Sequence, residues 1–251
     1  MGSIWQKILH SKRLLWFCLG LVGLGMVVPL LALVPWQGIF GGATPAPNDN
    51  LVPSGPKQAV VTEVITSLDR AELLATSAHQ GNPNAAIVLF KFSDFQCVYC
   101  AVSASQMKDF IGRHNEDMLY IYKHFPLDAI HPEATPAAKA AWAAGQQGQF
   151  WLYHDGLLAN QDRLGEDLYQ ELARSMGLDL DRFNQDRLSP EAEAAIQADL
   201  ALAQRLELQS TPTFLMNDLL IPGTITPELM ETLFQDIQGR IKAKSQTHTA
   251  E

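Results

Sequence analysis

The pair Cys97-Val98-Tyr99-Cys100 constrains the fold of this chain more than any other sequence feature. It follows the apolar run Ala86–Phe92 and stands where a helix is expected to begin. Two thiols at this spacing can close a small disulfide ring and reopen it. The N-terminus of a helix stabilises a thiolate on the first cysteine, and the thiolate is the nucleophile. A strand before the pair and a helix after it therefore indicate a redox-active dithiol in an α/β protein.

Two other interpretations of the cysteine pair stay open at this point. A zinc site needs four ligands, usually two such pairs or one pair with two histidines. The third cysteine, Cys18, lies in an apolar N-terminal segment, and His124, His131 and His154 show no ligand-pair spacing. A structural disulfide with so short a loop would restrict little of the unfolded chain. Redox chemistry is the favoured interpretation, and it requires neither a metal nor an organic cofactor.

The N-terminal segment Leu14–Trp36 has no charged side chain over 23 positions, which is long enough to cross a bilayer as a helix. Lys7, Lys12 and Arg13 precede it, so the N-terminus is expected to stay in the cytoplasm. The segment therefore predicts a single-pass signal anchor with the rest of the chain outside the cytoplasm.

Cleavage of a signal peptide is the alternative interpretation of the same segment. The apolar core is longer than the 7–15 residues usual for a signal peptide, and Ala43 and Ala46 offer only a weak cleavage site. In either case the region beyond about residue 40 is expected to be exported, where disulfides persist.

The charge of the chain argues against a nucleic-acid partner. It carries 18 basic and 27 acidic residues, a net charge of −9, and every acidic residue lies beyond position 36. Nucleic-acid binding favours clustered Lys and Arg, which this acidic body lacks. Solubility is the simplest explanation of the acidity.

Composition divides the chain into five segments. They are a cytoplasmic N-terminus (1–13), a transmembrane anchor (14–36), a flexible linker rich in Gly, Pro and Asn (37–58), a folded domain (59–242) and a polar tail (243–251). We expect one folded domain because the residues beyond the linker show no internal repeat.

The first half of the folded domain alternates predicted helices and strands. In order, the predictions are a helix over 62–75, a turn at 81–84, a strand over 86–92, a helix over 97–114 and a strand over 118–125. The helix over 97–114 is expected to bury Val102, Met107, Phe110 and Ile111. The continuous apolar strand before it is typical of a strand covered on both faces.

The second half is predicted to be a helical insertion followed by a return to the sheet. The insertion covers about residues 128–206, with breaks near Gly145–Gly148, Gly165, Gly177 and Ser189-Pro190. A strand over 213–217, a hairpin partner over 219–221 and a last helix over 226–242 follow. This order fits an α/β sheet interrupted by helices.

Several motifs in the folded domain resemble those of one family. The stretch Phe92–Cys100 resembles the active-site stretch of DsbA-like thiol–disulfide oxidoreductases. Four further matches follow in chain order: His124–Leu127 with His131-Pro132, Gly148–Trp151, Met176–Leu178 and Ser210–Phe214. The resemblance covers about residues 80–241 and implies a thioredoxin fold with an inserted all-helical domain, acting outside the cytoplasm.

The resemblance also implies roles for individual residues. Cys97 would be the thiol that attacks and links to substrate, and Cys100 the resolving thiol. Pro212 would be a cis proline facing the disulfide, preceded by Thr211. A cis X–Pro bond can expose backbone groups that pair with an extended substrate. The implied partners are exported proteins with thiols or disulfides and a membrane redox partner for re-oxidation.

Departures from the family pattern identify residues that tune the pair. Val98 stands where the family often has proline, and the resemblance implies that Val98 and Tyr99 between the thiols would tune the redox poise. Lys91 stands where the family often has an acid, six positions before Cys97. The favoured interpretation of Lys91 is a strand-end lysine whose stem packs while its amine reaches water. The alternative is an amine that points inward toward the thiols, where its charge would stabilise a thiolate. Asp94 is the nearest carboxylate, with a turn or helix cap as the alternative.

The anchor prediction can be tested by fractionation. We expect the full-length protein to stay with membranes after high-salt and alkaline washes, because a spanning helix is held by burial rather than by charge. Protease accessibility of residues 41–251 from outside the cytoplasm checks the orientation. A mature N-terminus between residues 44 and 47 would contradict the anchor and support cleavage.

Overall fold

A computed structural model describes residues 56–248. The helices within this range are α1 (Pro56–Thr66), α2 (Arg70–Thr76), α3 (Val98–Arg113), α4 (Ala134–Gly145), α5 (Phe150–Ala159), α6 (Glu166–Ser175), α7 (Leu180–Arg187), α8 (Pro190–Arg205) and α9 (Pro227–His248). The strands are β1 (His79–Gly81), β2 (Ile87–Ser93), β3 (Met118–His124), β4 (Thr213–Met216) and β5 (Leu219–Pro222).

Two of the predicted segments lie mainly outside residues 56–248. The transmembrane anchor over 14–36 and nearly all of the linker lie outside the described residues. Among residues 56–248, no helix combines the length and the apolar character that crossing a bilayer demands.

The five strands form one mixed sheet in the order β1-β3-β2-β4-β5. The central strand β2 runs parallel to β3 and antiparallel to β4, and β1 and β5 pair antiparallel at the two edges. A strand with neighbours on both sides and helices on both faces must be apolar throughout, which explains the continuous run in β2. The α/β fold with a mixed sheet is confirmed.

Each face of the sheet packs against its own helices. On one face, Leu89, Tyr120 and Phe214 pack with residues of α3 and α9. On the other face, apolar residues of the strands pack with α1 and α8; they are Phe90, Phe92, Leu119, Ile121 and Leu215. The alternation of side chains along β2 therefore decides that Lys91 and Ser93 face α3, on the same side as Leu89.

The helices between β3 and β4 enclose a separate apolar cluster. Its centre is α4, whose small side chains let α5, α7 and α8 approach closely. The α4 alanines in this cluster are Ala137, Ala140, Ala141, Ala143 and Ala144. The predicted breaks match the observed ends. Helix α4 ends at Gly145, Gly165 caps α6, and Ser189 caps α8 with Pro190 in its first turn.

Four element predictions differ from the structure. The single helix predicted over 62–75 is split, because Asp69 accepts hydrogen bonds from Ala71 N at 2.7 Å and Glu72 N at 3.1 Å and starts α2. Helix α1 begins at Pro56, inside the predicted linker. Strand β1 was not predicted, because three half-buried residues carry no periodic signal. Helix α9 runs to His248 and includes most of the predicted tail.

The inner face predicted for α3 is largely right, with one correction. Met107, Phe110 and Ile111 are buried against the sheet, as expected. Val102 is instead an exposed side chain. The apolar character of Val102 misled the prediction, because its position on α3 points away from the core that holds the other three.

A buried ion pair joins β3 to α8. Lys123 Nζ donates to Asp199 Oδ1 at 2.8 Å and to Ser77 Oγ at 2.7 Å. The second carboxylate oxygen of Asp199 accepts a hydrogen bond from His124 N at 2.8 Å. Every polar atom of this carboxylate is thus occupied in a buried environment, which fixes α8 against the end of β3.

The ion pair generates a stability prediction. Asp199→Ala is expected to lower the free energy of unfolding by about 3–5 kcal/mol, because it leaves the Lys123 ammonium buried without a counter-charge. Urea unfolding measures the loss. Glu193→Ala on the same helix is the control: Glu193 pairs with Lys139 at the solvent-exposed surface, so the expected loss is below about 1 kcal/mol. Equal losses in the two variants would contradict the assignment.

Candidate active site

The two cysteines lie at the junction between the end of β2 and the start of α3. Cys97 is the N-cap residue of α3, and its carbonyl accepts the Cys100 N–H at 3.0 Å. Cys97 keeps 7% of its surface exposed and Cys100 keeps none. Val98 and Tyr99 between them point outward, with 65% and 67% exposed. The pair therefore presents one thiol toward the surface and encloses the other.

The environment of Cys97 favours its thiolate. The Cys100 thiol and the backbone N–H groups of Cys100 and Tyr99 stabilise negative charge on the Cys97 sulfur, and together they lower the pKa of Cys97 to about 5 despite its burial. A cysteine with this pKa is ionised at neutral pH. Cys97 is thus suited to act as a nucleophile and as a leaving group.

The environment of Cys100 has the opposite effect. Burial raises the pKa of the Cys100 thiol, and its hydrogen bond to the Cys97 sulfur raises it further. The Cys100 sulfur accepts only one backbone N–H, from Asp94 at 3.4 Å. Both thiols are unbridged in this structure. The pair therefore consists of one thiolate and one protonated thiol.

The segment before β4 faces Cys97. The peptide bond between Thr211 and Pro212 is cis, as the motif predicted. The Cys97 sulfur lies 3.4 Å from the Thr211 carbonyl oxygen. The structure thus brings Thr211 and Pro212 together with the cysteine pair, although 114 positions separate Thr211 from Cys97.

Lys91 is the residue that departs most from expectation. The favoured interpretation, an amine that reaches water, is wrong: Lys91 is 0% exposed. Its Nζ donates to the Cys100 carbonyl at 3.3 Å and lies 6.0 Å from the centroid of the Phe214 ring. Burial lowers the pKa of Lys91 to about 8, while negative charge on the neighbouring dithiol opposes this effect. A cation is therefore enclosed directly beneath the dithiol.

Asp94 acts as a turn residue rather than as a carboxylate free for proton transfer. Its Oδ1 accepts Gln96 N at 2.7 Å, within the turn that leads into α3. Its Oδ2 lies 2.7 Å from His131 Nδ1 and accepts Leu127 N at 3.0 Å. The turn-or-cap interpretation therefore describes Asp94 best, and its side chain ties the cysteine turn to the loop after β3.

The insertion supplies a clamp that the sequence analysis missed. Gln161 Nε2 donates to the carbonyl oxygens of Phe95 at 2.7 Å and Cys97 at 2.9 Å. Gln96 Oε1 accepts Glu133 N at 2.8 Å. No local pattern marks Gln161, because these contacts join residues more than 60 positions apart. The helical insertion thus positions the backbone that carries the first thiol.

The part of the chain that the structure describes contains no cluster of three His, Cys, Asp or Glu side chains arranged to hold a metal. His131 pairs with Asp94, and His154 pairs with Asp155 through Nδ1 at 2.9 Å. His124 packs against aromatic rings instead. His124 and His154 pack against the same rings, those of Phe95, Tyr122 and Phe150.

Comparison with known proteins identifies the family. A family model described as thioredoxin matches residues 74–236. The chain belongs to the thioredoxin family. The matched range includes the cysteine pair, the helical insertion and the Thr211-Pro212 bond.

Solved structures share the fold of this chain. A thioredoxin-like oxidoreductase from Silicibacter pomeroyi is 26% identical with a TM-score of 0.62, covering 68% of this chain and 99% of that one. The thiol–disulfide exchange protein alpha-DsbA2 from Wolbachia pipientis is 19% identical with a TM-score of 0.64, covering 74% and 100%. The second likeness concerns the fold alone. The DsbA-like thioredoxin fold predicted from the motifs is confirmed.

Curated relatives match over part of their length. The Na(+)/H(+) antiporter NhaA 3 of Salinispora tropica is 34% identical over 138 residues, which are 55% of this chain and 21% of that protein. The antiporter NhaA 1 of Mycobacterium sp. strain KMS is 33% identical over 141 residues, which are 55% of this chain and 23% of that protein. The chain thus spans about a fifth of these relatives, and the antiporter activity in their names belongs to those proteins.

The buried cation beneath the thiols generates a titration prediction. Lys91 is protonated in the range where Cys97 titrates, so removing its charge destabilises the thiolate. Lys91→Met is expected to raise the pKa of Cys97 by about one pH unit, because a nearby positive charge favours the ionised form. The reduction potential is then expected to fall by about 30 mV. Ultraviolet absorbance of the thiolate against pH measures the first effect, and a glutathione buffer measures the second.

Lys108→Met is the matched control for this titration. Lys108 lies in α3, the helix that carries Cys100, but its amine is exposed and pairs with Asp155 at 3.1 Å. Solvent screens such a charge, so this variant is expected to titrate like the wild type. Superimposable curves for wild type and Lys91→Met would leave Lys91 a packing residue.

Proposed function

We propose that this chain is an extracytoplasmic thiol–disulfide oxidoreductase that exchanges disulfides with exported proteins through Cys97 and Cys100. The observation that carries the proposal is the unequal pair: an ionised Cys97 at the start of α3, opposite the Thr211 carbonyl, with a protonated Cys100 enclosed behind it. Such an arrangement directs exchange to one sulfur and reserves the other for release.

Exchange in the oxidising direction has two steps. A substrate thiolate attacks Cys97 Sγ of the Cys97–Cys100 disulfide, the S–S bond breaks, and Cys100 leaves as a thiolate that takes up a proton. A second substrate thiolate then attacks the substrate sulfur of the mixed disulfide and releases the Cys97 thiolate. The substrate loses two electrons and gains a disulfide, and the chain becomes a dithiol.

The low pKa of Cys97 favours the oxidising direction. A thiol with a low pKa leaves faster, and stabilising the reduced form makes its disulfide a stronger oxidant. A reductase or isomerase supplied with electrons is the alternative that the same pair would serve. A peptide-binding module that keeps its disulfide closed is a further alternative, and turnover in a thiol-oxidation assay separates it from an enzyme.

Substrate binding is proposed at the surface around Cys97. An extended peptide can pair with backbone groups at Thr211 and Pro212, as in strand addition. The exposed side chains of Val98 and Tyr99 flank the same place and would contact apolar substrate residues. These contacts would hold a substrate sulfur near Cys97 without a cofactor.

The proposed location follows from the N-terminal segment and not from the folded domain. The charge-free stretch 14–36 supports a membrane tether with the N-terminus in the cytoplasm. A tethered oxidant needs an electron acceptor after each cycle, and a membrane redox partner would fill that role. The alternative is secretion after signal cleavage.

Trapping of mixed disulfides tests the proposed function. Cys100→Ser is expected to accumulate disulfide-linked complexes with exported proteins, because its Cys97 thiolate can still attack a substrate disulfide while no Cys100 thiol is present to release the product. Cys97→Ser is expected to accumulate none, because its remaining thiol is buried and protonated. Non-reducing electrophoresis of cells expressing each variant, followed by reduction, measures the complexes.

The reduction potential of the pair then separates oxidant from reductant. A potential above that of the glutathione pool supports the oxidising role, and one well below it supports the electron-supplied alternative. Complexes of equal abundance in the two serine variants would reject the assignment of Cys97 as the attacking thiol.

A further inference from the structure

Disulfide exchange at this pair requires a proton to reach and to leave the buried thiol of Cys100. Cys100 must gain a proton when the disulfide opens and lose one when it resolves a mixed disulfide, in whichever direction electrons flow. Its side chain has no exposed surface, and burial raises the pKa of its thiol. The protein interior must therefore provide a path for this proton.

Two hydroxyl groups lie in the interior on the side of the sheet that faces α3. Ser93 on β2 and Tyr122 on β3 project from the same face, with Lys91 opposite Tyr122 and Ser93 opposite His124 in the strand register. Ser93 and Tyr122 are buried, and the oxygen of each has no hydrogen-bond partner among the described residues. Buried hydroxyls of this kind ordinarily bond to protein or to water.

The two hydroxyls belong to residues that lie between the turn at Cys100 and a cavity. The Cys100 sulfur accepts the N–H of Asp94, the residue after Ser93. Ser93 and Tyr122 are diagonal neighbours on the paired strands β2 and β3, on the face that packs against α3. Tyr122 and His124 line a cavity of about 230 Å³. This cavity shares residues such as Thr76, Gln146 and Asp199 with a groove of about 730 Å³ on the surface.

The cavity is large and polar enough for water. Polar side chains of Thr76, Ser77, His124, Gln146 and Asp199 border it. A water molecule needs about 10–15 Å³ of such space and two to four polar partners. The unpartnered Nδ1 of the buried His124 ring offers one of them.

We propose that the hydroxyls of Ser93 and Tyr122 form a relay that carries the proton between Cys100 and water in the cavity beside His124. The proposal rests on the proposed function. Rotation of the Ser93 and Tyr122 side chains, whose oxygens have no partner in this structure, closes the chain of hydrogen bonds. When Cys100 resolves a mixed disulfide, its S–H proton then passes to Ser93 Oγ as the Ser93 proton passes to Tyr122 Oη, and the Tyr122 proton passes to cavity water. Each hydroxyl gains one proton and loses one. The Cys100 thiolate then forms the S–S bond to Cys97 and the substrate leaves as a thiolate.

The other ionisable groups near Cys100 are placed for different roles. Lys91 donates to the Cys100 carbonyl and is itself fully enclosed, so it stabilises negative charge without reaching water. The Asp94 carboxylate is occupied by backbone N–H groups and His131. The ring of His154 on α5 has its centroid 5.2 Å from that of Tyr122, and His154 pairs with Asp155. His154 is therefore the alternative group through which the proton could leave.

The resolving step can be measured on its own in the full-length protein. Reaction of the reduced protein with oxidised glutathione forms the Cys97–glutathione disulfide, and Cys100 then releases glutathione. Acid quenching followed by mass spectrometry gives the rate. Tyr122→Phe and Ser93→Ala are each expected to slow release about tenfold or more, because positioned proton transfer contributes at least that much.

Tyr120→Phe is the matched control, because Tyr120 lies two residues earlier on the same face of β3 and outside the relay. It is expected to release glutathione at the wild-type rate. A plot of the wild-type release rate against the deuterium fraction of the solvent should be curved, because several protons move together. The dependence should be linear in Tyr122→Phe. A loss of structure would not produce this difference, and Ser93→Ala tests the relay if Tyr122→Phe fails to fold.

Three results would overturn the relay. They are wild-type rates in both hydroxyl variants, a linear deuterium dependence in the wild type, and slow release in His154→Asn with normal release in Tyr122→Phe. Normal wild-type release with unaffected variants rejects the relay alone. Absence of any Cys97–glutathione disulfide in the wild type rejects the proposed function as well.

Discussion

The carboxylate of Asp94 fixes the turn between β2 and α3, on which the geometry of the cysteine pair depends. It is buried where β2 ends, and it bonds the turn that enters α3 to the loop that leaves β3. The positions of Cys97 and Cys100 both depend on that turn, since the backbone N–H of Asp94 also reaches the Cys100 sulfur. Loss of this carboxylate would free two segments at once and leave buried backbone N–H groups without partners.

The main elements of the fold were predictable because each had a local signal. Apolar runs marked β2 and β3, and Ser189-Pro190 marked the start of α8. Elements whose stability comes from distant contacts gave no such signal. Strand β1 exists because its three residues pair with β3, and the extra turns of α9 beyond Lys242 continue a helix that composition alone suggested would fray.

The site divides in the same way. The cysteine pair and Thr211-Pro212 follow from motifs that are contiguous in the chain, and the structure brings them together. The position of Lys91 was mispredicted. Its two phenylalanine neighbours show that β2 is buried, but they do not show that the first turn of α3 covers the face that carries Lys91. Gln161 and Tyr122 were missed because only the tertiary fold places them beside the dithiol.

The burial of Lys91 links electron transfer to charge neutrality. In the dithiol, the Lys91 ammonium and the Cys97 thiolate balance each other within the interior. Formation of the disulfide removes the negative charge and leaves the ammonium alone in a medium that already lowers the pKa of Lys91 to about 8. The same amine is therefore a weaker base after oxidation than before it. When the dithiol is oxidised, the domain would therefore release a fraction of the Lys91 proton in addition to the Cys100 proton. A lower pH would favour the reduced form and make the disulfide a stronger oxidant.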